Sequence, residues 1–148
     1  MNVRLAKPSE RRALEELQTR ASLANSGDRD AILANPDAIQ IPQSQIENGQ
    51  VFVAERDGAI SGFAAILPRD DGDIELDGLF VEPAQWKTGV GRRLVGVCAS
   101  RAKLLGAKRL CVTGNPHAEG FYLSCGFAIY GTMQTRFGPG LLMQRPLI

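Results

Sequence analysis

Gly89 and Gly91 stand in the stretch Gln85-Trp86-Lys87-Thr88-Gly89-Val90-Gly91-Arg92-Arg93-Leu94-Val95, after a β-like run and at the head of an amphipathic one. Without Cβ atoms they let a ligand approach the backbone. The N–H groups of a first helical turn, aided by the helix dipole, suit a pyrophosphate. Arg92 or Arg93 would add charge. Close strand–helix packing uses such glycine pairs too, so the pair alone leaves both readings open. A P-loop would need Gly-x-x-x-x-Gly-Lys-Ser/Thr. A dinucleotide fingerprint would need a third glycine where Leu94 stands and a place directly after the first strand. On the preceding strand, Glu75 and Asp77 share a face with Cα atoms roughly 6.5–7 Å apart. A carboxylate there can take a proton if burial or its neighbour lifts its pKa above the usual ~4.3. The alternative is a plain solvent-facing acidic strand, because Asp70, Asp71 and Asp73 lead into it. Tyr122 is either a core aromatic beside Phe121 or a proton donor, since a phenol of pKa ~10 stays protonated at neutral pH. His117, the one histidine, reads as a surface residue, and Cys125 as a buried thiol with no base paired to it.

The elements that must position these groups follow from periodicity. Residues 2–6 alternate as a strand, and Pro8-Ser9 open a helix carrying Ala13, Leu14, Leu17 and Ala21. Short helical segments are expected over 28–34 and from Pro42 to Gly49. Residues 51–55 and 60–67 form a hairpin around Asp57-Gly58, a third strand runs over 74–81, and these three consecutive strands are expected to be antiparallel. A helix over 88–105 turns Val90, Leu94, Val97, Cys98, Ala102 and Leu105 to one side and stops at Gly106. A strand at 110–113 precedes a helix capped by the side-chain oxygen of Asn115, with Pro116 in its first turn, that runs to about Cys125 before Gly126. Two last strands, over 127–135 and 141–148, flank Phe137-Gly138-Pro139-Gly140. The order β, α, α, β, β, β, α, β, α, β, β predicts an α/β fold of three layers, a mixed antiparallel and parallel sheet with helices on both faces.

The 148 residues fit one domain, 1–148, with 44% hydrophobic and 22% charged residues as in globular chains. Seventeen basic against sixteen acidic residues leave a formal charge of +1, so no bulk charge argues for nucleic acid or an anionic membrane. The basic group Arg92, Arg93, Arg101, Lys103, Lys108 and Arg109 reads as a solvated face. Cys98, Cys111 and Cys125 lack metal spacing and read as reduced core residues. With no apolar leader or bilayer-length run, they predict a cytoplasmic protein.

Leu79-Phe80-Val81-Glu82-Pro83 followed by Trp86-Lys87-Thr88-Gly89-Val90-Gly91 resembles the acetyl-CoA-binding motif of the GCN5-related N-acetyltransferase superfamily. Asn115-Pro116-His117-Ala118-Glu119-Gly120-Phe121-Tyr122, with Gly126-Phe127 after it, is similar to that family's second signature. Only residues 22–49 lie outside a family-wide pattern. Two departures stand out: Trp86 where the family often has Gln or Arg, and Lys87 where it often has Gly.

The resemblance implies the acyl-CoA N-acyltransferase fold and acetyl transfer to an amine, with acetyl-CoA as cosubstrate and no metal. The backbone of Leu79, Phe80 and Val81, eased by Gly78, would hold the pantetheine arm and polarise the thioester. Lys87, Thr88, Gly89, Val90, Gly91, Arg92 and Arg93 would hold the diphosphate, with Asn115 and Tyr122 as further coenzyme contacts. Tyr122 would act as general acid, and Glu75 resembles the catalytic glutamate of histone-acetylating relatives, with Asp77 the other candidate base. The acidic run suggests a cationic acceptor, shaped by residues 22–49 and 136–140, and relatives suggest a homodimer through the last strands. The competing reading is a non-catalytic acyl-CoA-binding or regulatory module, which needs neither Tyr122 nor a strand acid.

Overall fold

The computed structural model describes residues 1–148. Seven strands, β1 (Asn2–Leu5), β2 (Val51–Arg56), β3 (Ala59–Pro68), β4 (Ile74–Val81), β5 (Arg109–Gly114), β6 (Ala128–Thr135) and β7 (Gly138–Pro146), form one mixed sheet in the order β1-β2-β3-β4-β5-β7-β6. The helices are α1 (Arg11–Ala24), α2 (Ser26–Ala34), α3 (Gln43–Glu47), α4 (Val90–Leu104) and α5 (Glu119–Ser124). Two compact units divide the chain, one of residues 1–65 and 78–94, the other of 66–77 and 95–148.

In the first unit, β1–β2 and β2–β3 pair antiparallel, and the β2–β3 connection is the two-residue turn that Asp57-Gly58 predicts. Both turn residues take positive φ, 54° and 78°, the mirror-image turn whose twist matches a hairpin. Alternation along the strands then assigns the faces. Val53, Phe63 and Ala65 join Leu14 and Leu17 of α1 and Ile46 of α3 in one buried cluster. Each large side chain so buried contributes about 1.5–3 kcal/mol. Gly62, on the opposite face, meets Val90 and Leu94 of α4. Helices therefore cover both faces.

Arg4 on β1 anchors this unit's edge. Its guanidinium donates to both oxygens of Glu10, at 2.9 and 2.7 Å, and to Glu55 at 2.6 Å. The hydrogen bond from Arg4 is the main cause that holds the Glu10 carboxyl below the usual carboxylate range, against the opposing effect of burial. A carboxyl whose folded-state pKa is depressed stabilises the fold above its unfolded pKa, and that stability disappears as pH falls through the folded value. Thermal melts at pH 7 and pH 3 should therefore differ less in Arg4→Met than in the parent. The variant should lose about 1–2 kcal/mol at pH 7 and less at pH 3. An unchanged difference between the two pH values would exclude this anchor.

In the second unit, the start of β4 pairs parallel with β5, Ile74 opposite Leu110 and Glu75 opposite Cys111. Antiparallel β5–β7 and β6–β7 ladders follow, the latter with an irregularity between Ile129 and Gly131. Buried Asp73 secures the junction. It accepts the backbone N–H groups of Lys108 and Arg109 at 3.3 and 3.1 Å and the Arg109 side chain at 3.0 Å. Cys98, Cys111 and Cys125 are free and buried, as expected. Burial pushes the Cys98 thiol up to about 12. No helix is long and apolar enough to cross a membrane.

The structure revises several boundaries. α4 ends at Leu104, and Leu105 is exposed rather than part of the apolar side, because Gly106 takes φ 89° and ends the helix. The segment from Pro116 is a 3₁₀ turn to Ala118 and only then α5. β7 begins at Gly138, opposite Thr135, so Arg136 and Phe137 alone form a tight turn and Pro139 and Gly140 lie in a strand. The irregular acceptor-shaping loop expected over 136–140 is thus a hairpin.

Candidate functional site

In the first unit, β4 leads through Glu82-Pro83 and a 3₁₀ turn (Pro83–Gln85) into the glycine turn and α4. Polar contacts rather than burial hold this connection. The Glu82 N–H donates to the Ser61 carbonyl at 2.8 Å, and the Glu82 carboxylate accepts Arg20 of α1. Arg56 donates to the Gln85 side chain at 3.0 Å, and the Thr88 hydroxyl donates to the Gln85 carbonyl at 2.6 Å. The Trp86 indole N–H donates to the Val81 carbonyl at 2.8 Å. α4 opens with the bond from Arg93 N–H to the Gly89 carbonyl, so the N–H groups of Val90 and Gly91 lie in the first turn, ahead of the helix's own ladder. Together with the helix dipole, N–H groups so placed favour an anion. Lys87, Arg92 and Arg93 are exposed around it.

Two residues of the turn take positive φ, Gly89 at 93° and Lys87 at 63°. Lys87 therefore occupies a left-handed conformation that a glycine adopts at no steric cost, which accounts for the family's frequent glycine there. Lys87→Gly should raise the melting temperature of the ligand-free protein by about 1–3 °C, because relief of roughly 1–2 kcal/mol of left-handed strain exceeds the added unfolded-state freedom. A lower melting temperature would contradict that balance.

Phe80 packs against Phe63 with ring centroids 5.5 Å apart, so the β4 side chains at this point serve the core and the backbone is what remains to meet a ligand. Two glycines keep that backbone in place. A Cβ on Gly62 would lie 2.8 Å from the Phe80 carbonyl oxygen, and one on Gly78 would lie 3.2 Å from the Phe80 ring. Space at Gly78 is thus filled by Phe80, where sequence reasoning expected room for a ligand. No local sequence signal marks Gly62, because its contact comes from the neighbouring strand.

In the second unit, Glu75 is half-buried and Asp77 exposed. The acidic run around them is partly neutralised: Asp71 pairs with Arg69 at 3.0 Å, and Asp73 with Arg109. That weakens the sequence argument for a cationic acceptor. Tyr122 is buried, its ring edge-on to Phe121 and Phe127 with centroids 5.2 and 5.5 Å away. Burial first, then the neighbouring Cys125, pushes its phenol well above the ordinary tyrosine range, so it stays protonated. Gly114 shapes this pocket, since a Cβ there would sit 3.1 Å from the Tyr122 ring and 2.5 Å from the Met143 methyl. Arg145 donates to the Cys125 carbonyl at 3.1 Å and so meets the end of α5, where cations are favoured.

Asn115 does not cap the following turn with its side chain, as expected from sequence; its carbonyl accepts the Ala118 N–H at 2.9 Å instead. Proline at the first helical position lacks an N–H, and the short 3₁₀ turn is closed by the backbone bond. His117 is exposed, and Cys125 is buried.

Residues 12–127 match the model of the Acetyltransferase (GNAT) family, and this chain belongs to that family. An N-acetyltransferase of Mycobacterium tuberculosis is 34% identical over 91 residues, which span 60% of this chain and 58% of that relative. A GCN5-related N-acetyltransferase from Rhodopseudomonas palustris superposes with a TM-score of 0.78 at 20% identity, over 99% of this chain and 95% of the other. An acetyltransferase from Salmonella typhimurium, solved with its cofactor acetyl-CoA, gives 0.73 at 24% identity, over 100% and 94%. These likenesses show the acyl-CoA N-acyltransferase fold.

Proposed function

We propose that residues 1–148 act as one cytoplasmic N-acetyltransferase domain that transfers the acetyl group of acetyl-CoA to a primary amine of a small molecule or peptide, by direct attack in a ternary complex. The observation that carries this reading is the glycine turn between β4 and α4, which sets the Val90 and Gly91 N–H groups in the first turn of α4, where a diphosphate is favoured. The family match and the acetyl-CoA bound to the Salmonella protein support it.

In this mechanism Glu75, with Asp77 as the alternative, takes the proton from the ammonium form of the acceptor. The amine nitrogen bonds to the thioester carbonyl carbon, and the C–S bond breaks as the tetrahedral intermediate collapses. Tyr122 gives a proton to the departing thiolate, and the proton that the attacking nitrogen loses as the amide forms restores the phenol. Backbone groups of Leu79, Phe80 and Val81 hold the pantetheine arm, and residues 87–93 hold the diphosphate. Because the Val81 carbonyl already accepts the Trp86 indole, its N–H is the better placed of its two groups to serve the arm. Asn115 contacts the coenzyme.

β6, the last strand in the sheet order, exposes Ile129, Tyr130 and Met133, and Phe137 beside it is also exposed. This apolar edge supports a homodimer, which light scattering of the eluted protein checks by mass.

Native mass spectrometry with acetyl-CoA, followed by a thiol-release screen over small amines, aminoglycosides and peptides, tests the function. Binding with amine-dependent thiol release supports the enzyme. Binding without release under any acceptor favours the non-catalytic module, and no binding removes both.

A further inference from the structure

The connection between β4 and α4 is exposed over Ala84, Trp86, Lys87, Thr88 and Gly89, and it holds two residues in left-handed conformations. A segment with that little buried surface and a strained Lys87 keeps one shape only if specific bonds impose it. Trp86 is the single tryptophan of the chain and is 41% exposed, so it contributes little to the core. Its N–H nevertheless reaches back five residues to the Val81 carbonyl at 2.8 Å, while its backbone N–H bonds the Pro83 carbonyl at 3.2 Å. The indole therefore closes residues 81–86 into a loop and ties the glycine turn to the end of β4. Thr88 secures the next step by donating to the Gln85 carbonyl, and Arg56 holds the Gln85 side chain.

We infer that Trp86 is a positioning residue for the coenzyme: its indole bond to Val81 sets the β4 end and the glycine turn in binding geometry before any ligand arrives. The inference rests on the acetyl-CoA reading above. An aromatic donor thus stands where the family often has Gln or Arg, and its partner is the chain's own backbone. A turn held in its bound shape loses less freedom on binding, so the bond acts on affinity and leaves the chemical step alone.

Trp86→Phe keeps an aromatic ring and deletes the donor. Calorimetry should show acetyl-CoA bound about fivefold more weakly, the factor to which about 1 kcal/mol of hydrogen bond converts. KM for acetyl-CoA should rise in step while kcat at saturation stays within about twofold, a split that a merely structural role would not produce. Without ligand, amide exchange over residues 81–91 should quicken in the variant and stay unchanged in β5 and β7. Unaltered exchange in that segment, or parental affinity and KM, would overturn the inference. A parental protein that binds no acetyl-CoA would instead sink the coenzyme reading, and the exchange measurement would still judge the latch.

Discussion

Replacing Tyr122 by phenylalanine should lower kcat by about 10²–10³-fold and leave acetyl-CoA affinity within about twofold, the signature of a lost general acid. Phenylalanine keeps the edge-on contacts with Phe121 and Phe127 and the space shaped by Gly114, so the fold has no reason to respond. The chemistry does. Collapse of the tetrahedral intermediate expels a thiolate, and without a nearby proton the reverse attack competes with product formation. The raised phenol pKa gives the test a second arm. Deprotonation of Tyr122 should not depress the parental rate below about pH 10, because a phenol starting near ~10 has been pushed further up. Steady-state kinetics with the best acceptor, paired with calorimetry, reads both. A variant with parental kcat would remove Tyr122 from the mechanism and strengthen the reading of a simple core aromatic.

Gly89→Val should weaken acetyl-CoA binding by about 10- to 100-fold, since forcing a residue into a sparsely populated backbone region costs about 1–3 kcal/mol. Here the cause is conformational. A Cβ on Gly89 meets nothing within 4 Å, so no clash follows, but φ of 93° is one that a β-branched residue rejects. The valine variant relieves its strain by reshaping the turn, and the N–H groups of Val90 and Gly91 then no longer converge on one anion. The turn lies at the surface, so melting temperature should fall only slightly while binding collapses. Comparable losses of stability and affinity would instead mark Gly89 as a packing residue. Parental binding would show that the diphosphate is held elsewhere.

Tyr122 and Gly89 stand out in the sequence alone. The bounds of β4 at 74 and 81, the Asp57-Gly58 hairpin and the run from Gly89 into α4 were all legible, because each is encoded by neighbours within a few positions: an alternation, a pair of positive-φ residues, a helical period. Elsewhere local signals compete. Phe137-Gly138-Pro139-Gly140 carries strong turn residues, yet a two-residue hairpin at Arg136-Phe137 prevailed and the glycines entered a strand. Asn115 looked like a side-chain cap, but the 3₁₀ turn that follows closes through backbone.

By itself the chain's sequence determined the family and the elements, and it singles out the residues proposed to bind a diphosphate or move a proton, since those depend on residue type and short spacing. Tertiary structure alone decided that Asp73 is occupied by Arg109, 36 positions away, that Gly62 makes room for the Phe80 carbonyl, that Gly114 makes room for Tyr122, and that Trp86 turns its indole to Val81. The physical reason is that partner choice among distant groups follows from which strands lie side by side and how their backbones twist, and no local period carries that information.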